Sequence, residues 1–340
     1  MRRPAQGQTG LILSSLLTGL RPSRPGGLPE RPVALVAGGS RGLGLLVARE
    51  LAERGCRVAI CGRDRATLTI AQELLADDGP RRTSGRLRRR RCAIRSSTWV
   101  EAVEQDLGPV DVAIHVAGVI QVGPVEAMTH EHFGEAIGTM LWGPVNLALA
   151  VLPGMRQRRR GRIGVVSSIA GRVAVPHLVP YTAAKFGAAG FTDALRTELA
   201  GTGITATTVT PGLMRTGSHL RAEFTGDVPA EYAWFSSGMV PLVSIDAGRA
   251  AARITDGVLR GDATVVLTPL AQVAIRANGL APGLTSLVAR QAARLLPAAP
   301  SGLDETVDGT VARTRLDSRL VDTLTTLADR AARRTNELAR

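Results

Sequence analysis

Lysine is all but missing from this chain. Lys and Arg together number 42, and only one of them, Lys185, is lysine. A chain that uses arginine at every other basic position has no general need for an ammonium, so the exception marks a place where arginine would not serve. Cysteine is sparse too: Cys56, Cys61 and Cys92 form an odd set with no C-x-x-C pair. That excludes a disulfide scaffold or zinc framework and fits reduced thiols in the cytoplasm. His130 and His132, two apart on a helix, face different ways, and no metal site is read. Aromatic residues make up only 3% of the chain. Single-strand nucleic-acid binding interleaves aromatic with basic side chains, yet neither arginine run, Arg81–Arg91 or Arg158–Arg160, contains any. Despite a net charge of +13, the runs read as solvated loops and no nucleic-acid partner is expected. The apolar run near the start, Leu11–Leu20, is ten residues flanked by arginines, half of the roughly 20 needed to span a bilayer. It reads either as a loose tail or as an interfacial anchor giving peripheral membrane contact, and the Pro/Gly-rich Arg21–Pro32 as a linker.

What is present gathers around the lone lysine. Tyr181 stands four residues before Lys185, so on a helix both side chains project from one face. A phenol starts with a pKa of about 10; an ammonium beside it favours the phenolate and brings proton transfer within reach near neutral pH. Arginine, a bulky and permanently charged fork, neither fits nor titrates in that way. Ser168, thirteen residues ahead of Tyr181, falls at the end of a strand and is placed to hydrogen-bond the same substrate oxygen. By itself the spacing also fits a chance pairing on a helix face; its surroundings decide.

Those surroundings alternate strand and helix. Val33–Ala37 reads as a strand, Gly38-Gly39-Ser40-Arg41-Gly42-Leu43-Gly44 as a glycine-rich turn, Leu45–Arg54 as a helix and Arg57–Cys61 as a second strand. In such a βαβ unit the glycines let backbone approach a pyrophosphate, whose charge meets amides at the helix N-terminus. The second strand ends at Gly62 and Arg63 with no acid at its tip. Arg41 and Arg63 therefore favour the 2′-phosphate of NADP(H) over the free ribose of NAD. Further strands are expected at Asp111–Val116, Arg162–Ser167 and Ile204–Val209, with helical stretches at Thr129–Leu152 and from Tyr181 to Leu199. Ala117 and Gly118, Ser168, and Pro211 and Gly212 then all fall at carboxyl ends of strands, where open parallel sheets gather ligands. The fold class is an α/β, doubly wound, Rossmann-like parallel sheet.

In order and spacing, these motifs resemble the short-chain dehydrogenase/reductase family over about Arg31 to Leu267. The family's T-G-x-x-x-G-x-G appears as Ala37-Gly38-Gly39-Ser40-Arg41-Gly42-Leu43-Gly44, its catalytic serine as Ser168, its Y-x-x-x-K as Tyr181 and Lys185, and its P-G-x-x-x-T as Pro211, Gly212 and Thr216. The resemblance implies a carbonyl–alcohol oxidoreductase using NADP(H). In it Tyr181 is the general acid/base and Ser168 polarises the carbonyl. Lys185 lowers the tyrosine pKa and holds the nicotinamide ribose, and Thr216 binds the carboxamide. Departures accompany it. N-N-A-G becomes His115-Val116-Ala117-Gly118, the adenine-contacting aspartate becomes Ala93, and the helical asparagine of the proton relay becomes Met140. These leave open a second reading, a cofactor-binding but non-catalytic sensor or scaffold. His115 is a candidate to take over the relay.

Four of the ten aromatics, Phe224, Tyr232, Trp234 and Phe235, fall between Leu213 and Met239. This stretch reads either as an apolar lid over a lipophilic substrate or as ordinary packing. Beyond it, Pro269–Leu296 and Asp317–Leu338 read as helical around a Pro297–Gly309 linker. Leu316, Leu320, Leu324 and Leu327 suggest a stripe that docks on the domain or on a second subunit of a homo-oligomer. The expected organisation is a tail and linker at 1–31, one catalytic domain at 32–268 and a helical extension at 269–340.

Overall fold

The computed structural model describes residues 27–76, 88–91, 97–240, 243–299 and 305–338. Leu11–Leu20, most of the Arg21–Pro32 linker, Cys92 and Ala93 lie outside these. Chain order begins β1 (Val33–Ala37), α1 (Gly42–Glu53), β2 (Arg57–Gly62), α2 (Arg65–Ala76), β3 (Arg88–Arg91), α3 (Ser97–Leu107), β4 (Val110–His115) and β5 (Gln121–Val122). It continues with α4 (His130–Met140), α5 (Trp142–Arg158), β6 (Gly161–Val166), α6 (Val179–Glu198), β7 (Ile204–Thr210), β8 (Met214–Arg215), α7 (Ser218–Arg221), β9 (Glu223–Phe224) and α8 (Val228–Ser237). Last come β10 (Ile245–Asp246), α9 (Ala247–Arg260), β11 (Thr264–Val266), α10 (Pro269–Leu280), α11 (Pro282–Ala293), β12 (Val307–Asp308), α12 (Gly309–Leu316) and α13 (Arg319–Arg334).

β1 is buried along its whole length because helices cover both faces of its sheet. Alternate residues serve opposite layers. Ala34 and Val36 pack with α1 and α9, while Val33, Leu35 and Ala37 pack with α3 and α5. The seven strands are all parallel, in the order β11-β7-β6-β4-β1-β2-β3. The winding reverses between β1 and β4, which opens a crevice at their carboxyl ends.

Arg81–Leu87 lie outside the described residues, and the described parts of the two arginine runs are not simply loops. Arg88–Arg91 is strand β3, paired with β2 at the sheet's edge. Arg158 donates to the Val110 carbonyl at 2.8 Å, and Arg160 lies 3.3 Å from Asp111. Together they tie the end of α5 to the start of β4. The expected helix over Thr129–Leu152 is two helices, α4 and α5, broken at Leu141. Pro144 has no N–H to bond the Met140 carbonyl, so the ladder cannot run through. The stretch His130–Arg158 is long and apolar enough to cross a membrane, but Leu147, Val151 and Met155 bury it against the sheet.

The helical extension is likewise broken, at Ala281 before Pro282, and the expected linker contains β12, antiparallel to β9. The leucine stripe is split between Leu316, which packs against the core from α12, and the leucines of α13. Leu320 and Leu327 are exposed, whereas Thr325, Ala328 and Ala332 are buried. Small residues let α13 lie close on the segment after β7, and polar ties fix it: Asp329 accepts from Arg313 at 2.9 Å and meets His219 at 3.0 Å.

Candidate active site

The turn after β1 is tight because its glycines permit it. Gly38 has φ +85°, and a Cβ there would lie 2.6 Å from the Ala117 nitrogen; one at Gly44 would lie 2.0 Å from the Gly38 carbonyl oxygen. Gly38 and Gly39 both donate to the Cys61 carbonyl, at 3.0 and 3.1 Å, and Ala117 donates to Ala37 at 3.0 Å. The glycine turn, the end of β2 and the Ala117-Gly118 segment are thereby locked together around one crevice. All the residues assigned from the sequence to cofactor or reaction line a single cavity there, of about 530 Å³, within the range of small-molecule sites.

One end of the cavity is cationic. Arg41 is half-buried, and its pKa is lowered by that burial and by Arg221, against the opposing pull of Glu337. Arg63 lines the same end but is held at 2.9 Å by Glu135 of α4. The sequence reading missed two residues here. Arg221, five positions past Thr216, carries no motif of its own. Glu337 arrives from the far end of the chain. Its carboxylate accepts from the Gly217 N–H, and burial raises its pKa against that bond. A carboxyl group seated over Gly42 and taking the Gly217 N–H finds acceptor-binding donors in this cradle of amides and arginines, so the residues present fit the phosphates of NADP(H).

At the centre, α6 starts with Pro180 in its first turn and so presents Tyr181 and Lys185 on one face. Ser168, at the carboxyl end of β6, accepts from the Ala170 N–H at 3.1 Å and lines the same cavity as Tyr181, near enough to act on its phenol. Lys185 is 4% exposed; its Nζ donates to the Val166 carbonyl at 2.8 Å and lies 5.5 Å from the centre of the Tyr181 ring. Burial lowers its pKa to about 8. One expectation is corrected here: Tyr181 does not sit low. Burial pushes its pKa up, and the nearby Ser168, not the ammonium, is what opposes the rise. The phenol is therefore protonated at neutral pH, the state a proton donor needs.

Met140 is buried against Gly118 close to Lys185, so a thioether stands where the family's relay asparagine would. His115 is buried on β4, its Nε2 without a hydrogen-bond partner, and burial with the nearby Lys185 holds its pKa at about 3. It is neutral at working pH, and its Nε2 makes no hydrogen bond to Lys185.

Toward the other end the lining turns apolar, with Val175, Leu178, Leu213, Phe235 and Met239. The four aromatics of this segment divide. Phe224 and Tyr232 are fully buried and stack edge to face at 5.3 Å, forming core, while Phe235 faces the cavity. Among the described residues no group of three metal-ligating side chains occurs.

A family model described as short chain dehydrogenase matches residues 32–223. The acetoacetyl-CoA reductase of Paracoccus denitrificans is 34% identical over 197 residues, 54% of this chain and 74% of its own. The 3-oxoacyl-(acyl-carrier-protein) reductase of Vibrio cholerae is 33% identical over 187 residues, 55% of this chain and 75% of its own. A solved structure of a variant actinorhodin polyketide ketoreductase with NADPH matches with a TM-score of 0.61 at 29% identity, covering 71% of this chain and 97% of that one.

Proposed function

Because the chain belongs to the short chain dehydrogenase family and is an NADP(H)-dependent oxidoreductase acting on C=O and CH–OH groups, we propose that it interconverts a lipophilic ketone and its alcohol. The observation that carries this reading is that Ser168, Tyr181 and Lys185 line one cavity together with the glycine turn and Arg41 and with the apolar Val175, Leu178 and Phe235. The glycine turn, Arg41 and Thr216 hold the cofactor, which when bound supplies the hydride. Ser168 and Tyr181 both donate to the carbonyl oxygen, and Tyr181 gives up its proton as the alkoxide charge develops. The Lys185 ammonium stabilises the phenolate left behind, worth more in this buried setting than in water. The apolar end excludes water and seats an acyl or ring substituent. The proposed catalytic unit is 32–268, and the proposed place of action is the cytoplasm, with Leu11–Leu20 as the candidate membrane contact. NADPH oxidation with acetoacetyl-CoA, medium-chain ketones and quinones tests the reading. Turnover is expected on the more lipophilic members; NADPH binding with no turnover on any would favour the non-catalytic scaffold.

NADPH should bind at least about tenfold tighter than NADH, since charge-assisted contacts contribute about 1.5–3 kcal/mol each. Arg41→Ala should abolish most of that difference in a binding titration while leaving NADH affinity nearly unchanged. Equal wild-type affinities would refute the assignment.

Self-association through α5 and α6 is also proposed. A Cβ at Gly187 would lie 2.9 Å from Leu141, so the start of α5 abuts α6 at Phe186. Trp142, 54% exposed, Leu149 and Phe186 stand out of that junction as apolar side chains at the surface. The double variant Trp142→Glu/Phe186→Glu should shift the chain to monomer in light scattering with its circular dichroism unchanged. A wild-type monomer would discard the surface.

A further inference from the structure

The turn that follows α13, Thr335–Glu337, enters the cofactor cradle. Gly42, whose N–H is the first of α1, donates it to the Thr335 carbonyl at 2.8 Å. The Asn336 amide donates to the carbonyls of Ser40 and Thr67, both at 2.9 Å. Arg221 donates to the Glu337 carbonyl at 2.6 Å, and the Glu337 carboxylate takes the Gly217 N–H. A Cβ at Gly42 would sit 2.6 Å from that carboxylate, so it lies directly over the glycine whose bareness makes room for a phosphate. Thr335, Asn336 and Glu337 are all buried.

Resting on the dinucleotide reading above, we propose that the segment Thr335–Glu337 is an intrinsic competitor of the cofactor, holding the Glu337 carboxylate where a phosphate group of NADP(H) must sit. Three features support competition over a wall that closes on bound cofactor. The Glu337 side chain already fills the space over Gly42 that a phosphate would need, since a Cβ there would lie 2.6 Å from its carboxyl group. The Gly42 N–H and the Arg221 guanidinium, the donors a phosphate would use, already serve the segment's own carbonyls. The segment also grips the cradle through polar groups alone, whereas the body of α13 is fixed independently by Ala328, Ala332 and the Asp329 bonds. The last turn can therefore leave while the helix stays.

A cofactor that binds only the open form has its apparent Kd raised by the inverse of the open fraction. Releasing the segment should therefore tighten binding. Asn336→Ala removes the anchor without touching the phosphate position, and Glu337→Ala removes the occupant. NADPH titrations of the full chain should give each variant a Kd at least about fivefold lower than wild type. Hydrogen exchange provides a second readout on the wild type. The Thr335 and Glu337 amides, bonded to the Ala331 and Ala332 carbonyls, should lose protection when NADPH is saturating. Binding that is unchanged or weaker in both variants, or added protection at 335–337 with NADPH, would overturn competition and make the segment part of the cradle. If neither wild type nor either variant binds NADPH, the dinucleotide reading itself fails and takes this proposal with it.

Discussion

Tyr181→Phe is expected to lower kcat by about 10²–10⁴-fold, the usual worth of general acid assistance, and Lys185→Arg by nearly as much. The first removes the phenol proton itself. The second keeps the charge but not the shape. Lys185 is packed beneath Tyr181 with Met140 and Gly118 alongside, and its Nζ meets the Val166 carbonyl at 2.8 Å. A planar fork with five donors has neither the room nor the acceptors there. Steady-state kinetics with a reducible ketone, beside a thermal melt to separate misfolding from lost chemistry, checks both. NADPH affinity should be near wild type in Tyr181→Phe. Retention of most of the wild-type kcat by Lys185→Arg would remove the reason for a single lysine at this position.

Lys185→Met, by contrast, should make the cofactor-free protein more stable at pH 7. Burial lowers the lysine pKa from 10.5 to about 8, and that difference corresponds to about 3 kcal/mol. Leaving the Val166 carbonyl without its donor offsets about 1 kcal/mol of the gain. The pH dependence fixes the sign. Between about 8 and 10.5 the unfolded chain holds a proton on Lys185 that the folded chain has lost, so wild-type stability rises with pH across that window. The Met variant lacks this rise. Its advantage in denaturant midpoint should be full below pH 8 and fade toward pH 10.5. An advantage that does not change with pH, or no advantage at pH 7, would show that the ammonium is accommodated without cost. The larger point is that a catalytic group is held here at the expense of the fold.

Much of this was legible in the residues because it is local. The glycine turn follows directly from Gly38, Gly42 and Gly44 at fixed spacing. The stacking of Tyr181 over Lys185 follows from helical periodicity, and the collection of sites at strand ends follows from parallel topology. Two errors came from the same source. Arg88–Arg91 reads as a loop when only charge is considered, and becomes a strand because β2 offers a free edge. The stripe of Leu316, Leu320, Leu324 and Leu327 reads as a docking face by periodicity; Leu316 packs against the core, but α13 itself turns Thr325, Ala328 and Ala332 toward the domain and leaves Leu320 and Leu327 exposed. Close approach to the segment after β7 favours small residues, and the bonds of Asp329 set the helix's rotation.

The sequence by itself determined the parallel α/β fold, the glycine turn after β1 and the gathering of Ser168, Tyr181 and Lys185 at one cavity. Each depends on residues near one another in the chain, or on the one topology that repeated βαβ units allow. Only the tertiary structure decided the protonation of that constellation. Burial, a property of the whole packed domain, raises the pKa of Tyr181 and lowers those of Lys185 and His115. Only the tertiary structure, too, brought Glu337 to Gly42. A contact between residues so far apart leaves no local pattern to read, because what places the carboxylate is the docking of α13 and not the residues around it.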